Sequence, residues 1–539
     1  MLKRIAEIAL IAVLPVVFLA SCVGTPSTSS STSSSSTSTS TTAAKTPTGS
    51  LITLISDTPG VCDAVSLPFN VIDLALIGAS ANGQTNVGTV PINSGLVNPP
   101  IIHVDLACLR DFATPLIIGP AKPGTYTTGY VTLAESQVFL YDPTILPPNP
   151  PINIPTYSLT PIKNIQVPIE PPLVVINNAV SMLKVDFDMI HMIQSITTDP
   201  ATGKTVVTGS PEITLSPITS SGSSGQGFGM LYDVIGFVRS VTPPPPVSTS
   251  LYDGSFTLQT LSASITGAPL ITVNLTSSTL LYGFSALNQL NTDSVMEVDG
   301  YFDVDGNFVA TSVEDEYVEI VPTTGRVAQL ALIGPVTSLT RDGNGNVTTF
   351  NQWVRDVEPN AAVVVLRNTM VTVNTQSATT YQYSSRSANF ANLPFGPANI
   401  NVGQEIVVHG FVNEPTASSG TGAPALPTLV TAYKIYDKLQ SIQGTFSALL
   451  QAAADGKTGA FSFTPCGALF QSTPALVLTN GQTNFVNLTG LSALNGPATS
   501  SNLLVQGLPF YEQQAQTING VAVPAGTLVI LARQVHQLP

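Results

Sequence analysis

From Leu51 onward apolar residues recur at every second position in short runs, with little trace of a 3.6-residue period. Ile271-Thr-Val-Asn-Leu275, Val295-Met-Glu-Val-Asp-Gly300 and Glu405-Ile-Val-Val-His-Gly410 are representative. Side chains two apart on an extended chain share a face, so each run sets one face against a core. Gly, Pro, Asn and Asp interrupt the runs about every 8–12 residues. Hairpin tips are expected at Asp305-Gly306-Asn307 and Asp342-Gly343-Asn344. The pattern predicts an all-β chain of sandwiches or barrels. Two stretches break it: Ile5 to Leu19 is nearly all apolar, and Thr25 to Thr48 is almost pure Ser and Thr.

The apolar stretch follows Lys3 and Arg4 and ends in Leu19-Ala20-Ser21-Cys22. It is shorter than the roughly 20 residues a membrane-spanning helix needs and has the size of a signal-peptide core. The four residues at its end resemble the bacterial lipobox. The resemblance implies a lipoprotein signal peptide over 1–21, cleavage before Cys22 and lipidation of Cys22. Val23 stands where an aspartate would resemble an inner-membrane retention signal, so the outer membrane is expected. The Ser/Thr tract cannot bury a core, and residues 22–49 are expected to be a disordered tether with a reach of roughly 25–30 Å.

Four folded units are expected in the rest. The first, 50–219, contains Ser56-Asp57-Thr58-Pro59, then Lys122-Pro123-Gly124-Thr125-Tyr126 ahead of a strand, and late in the unit Leu183-Lys184-Val185-Asp186-Phe187-Asp188. In this order the segments resemble a bacterial lipoprotein family, domain of unknown function family 4382. That resemblance implies an immunoglobulin-like or transthyretin-like sandwich with no assigned activity. A repeat of about 100 residues follows, a period suited to a small domain. The copies are expected at 230–321, 325–438 and 440–539. The first runs through Gly236, Phe256, Val273, Thr279, Gly300 and Ala310, the second through Thr379, Gly410 and Ala432. The third, more divergent, runs through Phe461-Ser-Phe463, Gly507 and Ala532. The first copy resembles domain of unknown function family 5666. The copies are expected to be small OB-like barrels, with glycines where barrel strands bend.

Composition narrows the function. Charged residues are only 9% of the 539, and the net charge is −14, which excludes a phosphate-neutralising face for nucleic acid. Pro (43) and Gly (41) favour turns over long helices. Of four cysteines, Cys22 is assigned to lipid; an exported chain permits disulfides, and a Cys62–Cys108 bond is expected, worth about 4 kcal/mol by the chain-entropy argument. Cys466 is then a lone thiol. The four histidines (His103, His191, His409, His536) lie far from metal-ligand spacing, and no G-x-S-x-G, P-loop or H-E-x-x-H occurs. Neither a cofactor nor catalysis is expected. Asp186 and Asp188 share one strand face, which suits either a Ca²⁺ site or a solvated face. Trp353, Tyr381 and Tyr383 are the candidate sugar-stacking platform, with core packing as the other reading. The expectation is a lipid-anchored outer-membrane protein, facing the surface or the periplasm, that carries four domains as a rod. Its role is structural or adhesive toward envelope or extracellular proteins or glycans. The alternative is a binding module for a glycan or other small ligand.

Overall fold

The computed structural model describes residues 49–538 with interruptions, the longest at 91–101, 219–229, 316–326 and 414–428. The signal peptide, Cys22 and nearly all of the tether lie outside the described residues, as do Asp305 and His191. The chain is nearly all β, and its helical elements among the described residues are short 3-10 turns.

The N-terminal unit is a nine-stranded sandwich. In one layer Gly49–Thr58 lies between Val180–Asp188, its parallel neighbour, and Ala113–Ala121, its antiparallel one. In the other, Pro68–Ser80, Gly124–Ala134 and Lys163–Val175 run antiparallel. The layers join at one pair, Ile169 and Leu215. Leu51, Leu74, Leu76, Val131, Val185 and Phe187 fill the space between them. The first strand is buried on both faces. Leu51 enters this core, while Ile52 and Leu54 point the other way into the next domain. That explains an apolar run where a half-exposed strand would alternate. Tyr126 closes the Lys122–Tyr126 segment: its ring is buried and its hydroxyl donates to the Lys122 carbonyl at 2.7 Å. A buried Tyr whose hydroxyl returns to the backbone a few residues upstream is the contact made in tyrosine corners of β-sandwiches.

Three closed five-strand barrels follow, wired alike. In the first, Met230–Thr242, Gly254–Thr260 and Leu270–Leu275 form a meander, and Met230–Thr242 also pairs with Val295–Phe302, which pairs with Phe308–Asp315. A parallel contact of Val273 with Phe308 shuts the barrel. The equivalent closures are Thr372 with Leu429 in the second and Ala475 with Leu528 in the third. Each barrel carries a register shift at the glycine of the fourth strand: Asp299/Gly300, His409/Gly410 and Gln506/Gly507. A Cβ on Gly300 would sit 2.5 Å from the Val309 carbonyl, and one on Gly507 2.4 Å from that of Leu531. The strands cross too closely there for a side chain.

Opposite each of these glycines is an alanine whose carbonyl is bound by a threonine from another loop. Thr279 Oγ1 donates to Ala310 O (2.7 Å), Thr379 to Ala432 (2.8 Å) and Thr483 to Ala532 (2.9 Å). The same hydroxyls accept the backbone N–H of the residue three earlier, Thr276, Gln376 and Asn480. The recurrent Thr and Ala are two halves of one lock. The third copy keeps it despite its divergent sequence.

Two expectations are corrected. The disulfide joins Cys62 to Cys466, with Cα atoms 5.4 Å apart at a sequence separation of 404. Cys108 ends the 3-10 turn Leu106–Cys108. Short sequence separation favours a pairing in the unfolded chain, but only Cα proximity in the fold permits the bond. The turn after Gly459–Pro465 is carried against the sandwich, so the first and last domains supply the pair. The domains also do not form a rod. Ile52, Leu54 and Met182 of the sandwich join the core of the first barrel. Phe139 of the sandwich, Trp353 of the second barrel and Leu469 of the third form one cluster. Arg533 of the third barrel meets Asp299 of the first at 3.6 Å. Residues between 49 and 538 thus close into one assembly in which the sandwich touches every barrel.

Candidate functional site

The three aromatic candidates are used in packing. Trp353 lies in Val347–Val354 at 3% exposure, its ring centroid 4.9 Å from that of Phe139. Its indole N–H has no acceptor. Tyr381 and Tyr383, both on Thr380–Tyr383, pack on Phe395 at 6.1 and 5.1 Å, and Tyr383 reaches Phe510 of the third barrel at 5.9 Å. Burial holds the Tyr383 hydroxyl far above its usual range, with Asp437 and Glu512 adding to the shift. Tyr381 and Tyr383 are together; Trp353 belongs to a different cluster. A stacking platform needs an exposed ring face; Trp353 and Tyr383 are packed against other domains, and Tyr381 is half-buried against Phe395.

Asp186 and Asp188 are half-buried on the outer face of Val180–Asp188, together with Lys184. The Lys184 ammonium is 3.2 Å from Asp186. Among the described residues no group of three or more His, Cys, Asp or Glu side chains is placed to hold a metal ion. At the two expected hairpin tips an aspartate side chain binds backbone N–H groups of its own loop. Asp303 Oδ1 accepts the Asn307 N–H at 2.8 Å, and Asp342 Oδ1 accepts those of Asn344 and Asn346, each at 2.9 Å. The Asn346 backbone bond leads the others in holding the Asp342 carboxyl below its ordinary value.

The chemistry that the sequence hid lies in the seams. Between the second and third barrels, Gln404 Nε2 donates to Asp437 Oδ1 and to the Pro509 carbonyl, both at 2.8 Å. Gln440 accepts the Glu405 N–H at 2.6 Å and donates to the Gly403 carbonyl at 3.2 Å. Arg355 and Glu405 form a buried ion pair at 2.6 Å. Burial pushes the Asp437 carboxyl well up, and hydrogen bonds from Gln404 and the Lys438 backbone oppose this without reversing it.

Toward the first barrel, Asp299 is fully buried. Its carboxyl is pushed up to about 6 by desolvation, against the opposing pull of Arg533, Ser312 and Lys438. On the barrel wall beside Arg533, Ser441 and Gln506 are partners in register, and Gln443 is two residues along. The Ser441 hydroxyl, the Gln443 carbonyl oxygen and both polar atoms of Gln506 are buried with no hydrogen-bond partner. Each such group costs about 1–3 kcal/mol. A small guest with hydroxyls, water included, would gain there. No sequence signal marks these residues: a polar residue on a barrel's outer face looks solvated until another domain covers it.

Residues 249–314 match a family described as Domain of unknown function (DUF5666). The match takes in four of the first barrel's five main strands, from Gly254–Thr260 through Phe308–Asp315. No curated protein matches the chain. A solved structure named "drosophila Unr CSD456" aligns over 57% of this chain and 97% of its own, at 8% identity and a TM-score of 0.13. A score that low carries no argument about fold or function.

Proposed function

We propose that this protein is a lipid-anchored envelope protein of the bacterial outer membrane with a structural or adhesive role, and not a catalyst. The observation that carries the reading is the Cys62–Cys466 bond. Disulfides persist in exported proteins, which agrees with the lipobox-like Leu19-Ala20-Ser21-Cys22 and the Ser/Thr tether behind it. The resemblance to family 4382 supports the same placement; its central segment here forms the Tyr126 corner. Trp353, Tyr383 and Gln404 make contacts between domains, which suits a scaffold. The partners it would present to are envelope or extracellular proteins or glycans.

The test is labelling with radioactive palmitate, followed by protease treatment of intact and lysed cells. Label in the natural chain and none in Cys22→Ala is expected. Loss of the body from intact cells places it outside and directs the search to adhesion; protection until lysis leaves envelope scaffolding. An unlabelled, freely soluble product would refute the anchor.

A second reading, a module for a small uncharged polar ligand, is favoured by the unpartnered Ser441, Gln443 and Gln506 groups. It predicts saturable calorimetric binding of a neutral mono- or disaccharide that is lost in Gln506→Leu. A flat titration across such sugars would eliminate it.

A further inference from the structure

We propose that the Cys62–Cys466 bond is a mechanical clasp, which prevents tension applied through the two ends of the chain from drawing out the residues between the cysteines. Where the tension comes from rests on the N-terminal anchor proposed above; the shielding itself rests on the topology. Cys62 lies just after the first strand of the sandwich and Cys466 just after the second strand of the third barrel. The bond therefore closes a loop of 404 residues that includes most of the sandwich and the whole of the first two barrels. Force entering at the N-terminus crosses the bond directly into the third barrel.

The surroundings suit that path. Among the described residues, the only sandwich strand ahead of the bond in the line of force is Gly49–Thr58. It is central in its layer, paired parallel to Val180–Asp188 over its length and antiparallel to Ala113–Ala121. A pull on its N-terminal end loads those two ladders in shear, many hydrogen bonds at once. The bond itself is at a junction of three domains. Ser66, four residues after Cys62, has its hydroxyl 3.0 Å from the Asn368 side chain of the second barrel. Leu469, three residues after Cys466, packs with Phe139 and Trp353. Non-covalent seams of this kind separate under load, and a covalent link across the same point carries the load past them.

The experiment is single-molecule stretching of the full mature chain held by its two ends. Without reductant, extension is expected to come only from residues before Cys62 and after Cys466. With a phosphine reductant the fully unfolded contour is expected to grow by about 1,400 Å, from roughly 3.5 Å per residue over the 404-residue separation. Cys466→Ser is expected to show the long contour without reductant, and Cys108→Ser the short one. Equal contours with and without reductant would overturn the clasp, as would a long contour in Cys108→Ser. Should Cys466→Ser fail to fold, the reductant arm on the natural sequence and mass mapping of the Cys62–Cys466 peptide decide the matter. Palmitate labelling at Cys22 reads out separately, so a failed anchor and a failed clasp are distinguishable.

Discussion

Tyr126 illustrates how much one hydroxyl can do at the residue scale. Its ring fills the sandwich core and its O–H satisfies the Lys122 carbonyl at 2.7 Å. Tyr126→Phe keeps the ring and abandons the carbonyl, so a loss of about 1–2 kcal/mol is expected. Denaturant unfolding should show a lower midpoint at unchanged slope. Asp299 makes a pH prediction. Its carboxyl ionises near 3.8 when free of the fold and near 6 when folded, because burial outweighs Arg533, Ser312 and Lys438. A raised folded value means that the protonated form is favoured by folding. The contribution is therefore full below about pH 4 and is lost as pH rises through 6, a change of about 3 kcal/mol. The natural chain is expected to lose stability relative to Asp299→Asn over that window. Parallel stability–pH curves for the two would show that burial does not perturb this group.

At the scale of elements, the unit is the threonine lock. It joins the loop after a barrel's third strand to the last strand, at the alanine that faces the glycine beside the register shift. Thr483→Val preserves shape and removes both hydrogen bonds, to Ala532 and from Asn480. A cost of about 1–3 kcal/mol is expected, since the Ala532 carbonyl is left unpaired. Thr279→Val and Thr379→Val should cost similar amounts, and the three should add because they are in separate barrels. Guanidinium titrations of the single and triple variants measure this. Gly507→Ala should be worse than any of them, because its Cβ would lie 2.4 Å from the Leu531 carbonyl.

For the whole molecule, shared cores matter more than linkers. The first barrel's apolar cluster is completed by Ile52, Leu54 and Met182 of the sandwich. Glu297, Asp299 and Glu314, on its outer wall, are buried, with Arg533 of the third barrel against Asp299. Expressed alone as residues 230–315, it should bind a hydrophobic dye and unfold at lower denaturant than the same segment does within the full chain. An isolated barrel as stable as in the full chain, without dye binding, would show that the shared cluster contributes nothing.

Much of this was legible in the sequence. Period-two apolar runs and regularly spaced turn residues specify strands locally, so the all-β class followed from residues such as Ile271, Val273 and Leu275. Gly300, Gly410 and Gly507 marked the repeat, because a close strand crossing excludes any Cβ wherever it occurs. Thr483 was missed because the third copy diverges around it, so no neighbouring residues aligned it with Thr279 and Thr379. What only the tertiary structure decided is which outer faces become inner ones. Trp353 resembled a platform until Phe139 and Leu469 covered it, Asp299 and Gln506 are buried with no local pattern to mark them, and Cys62 found Cys466 in place of Cys108. Strand formation is decided by neighbours along the chain. Contacts between domains depend on surfaces assembled from distant residues, and no local pattern records them.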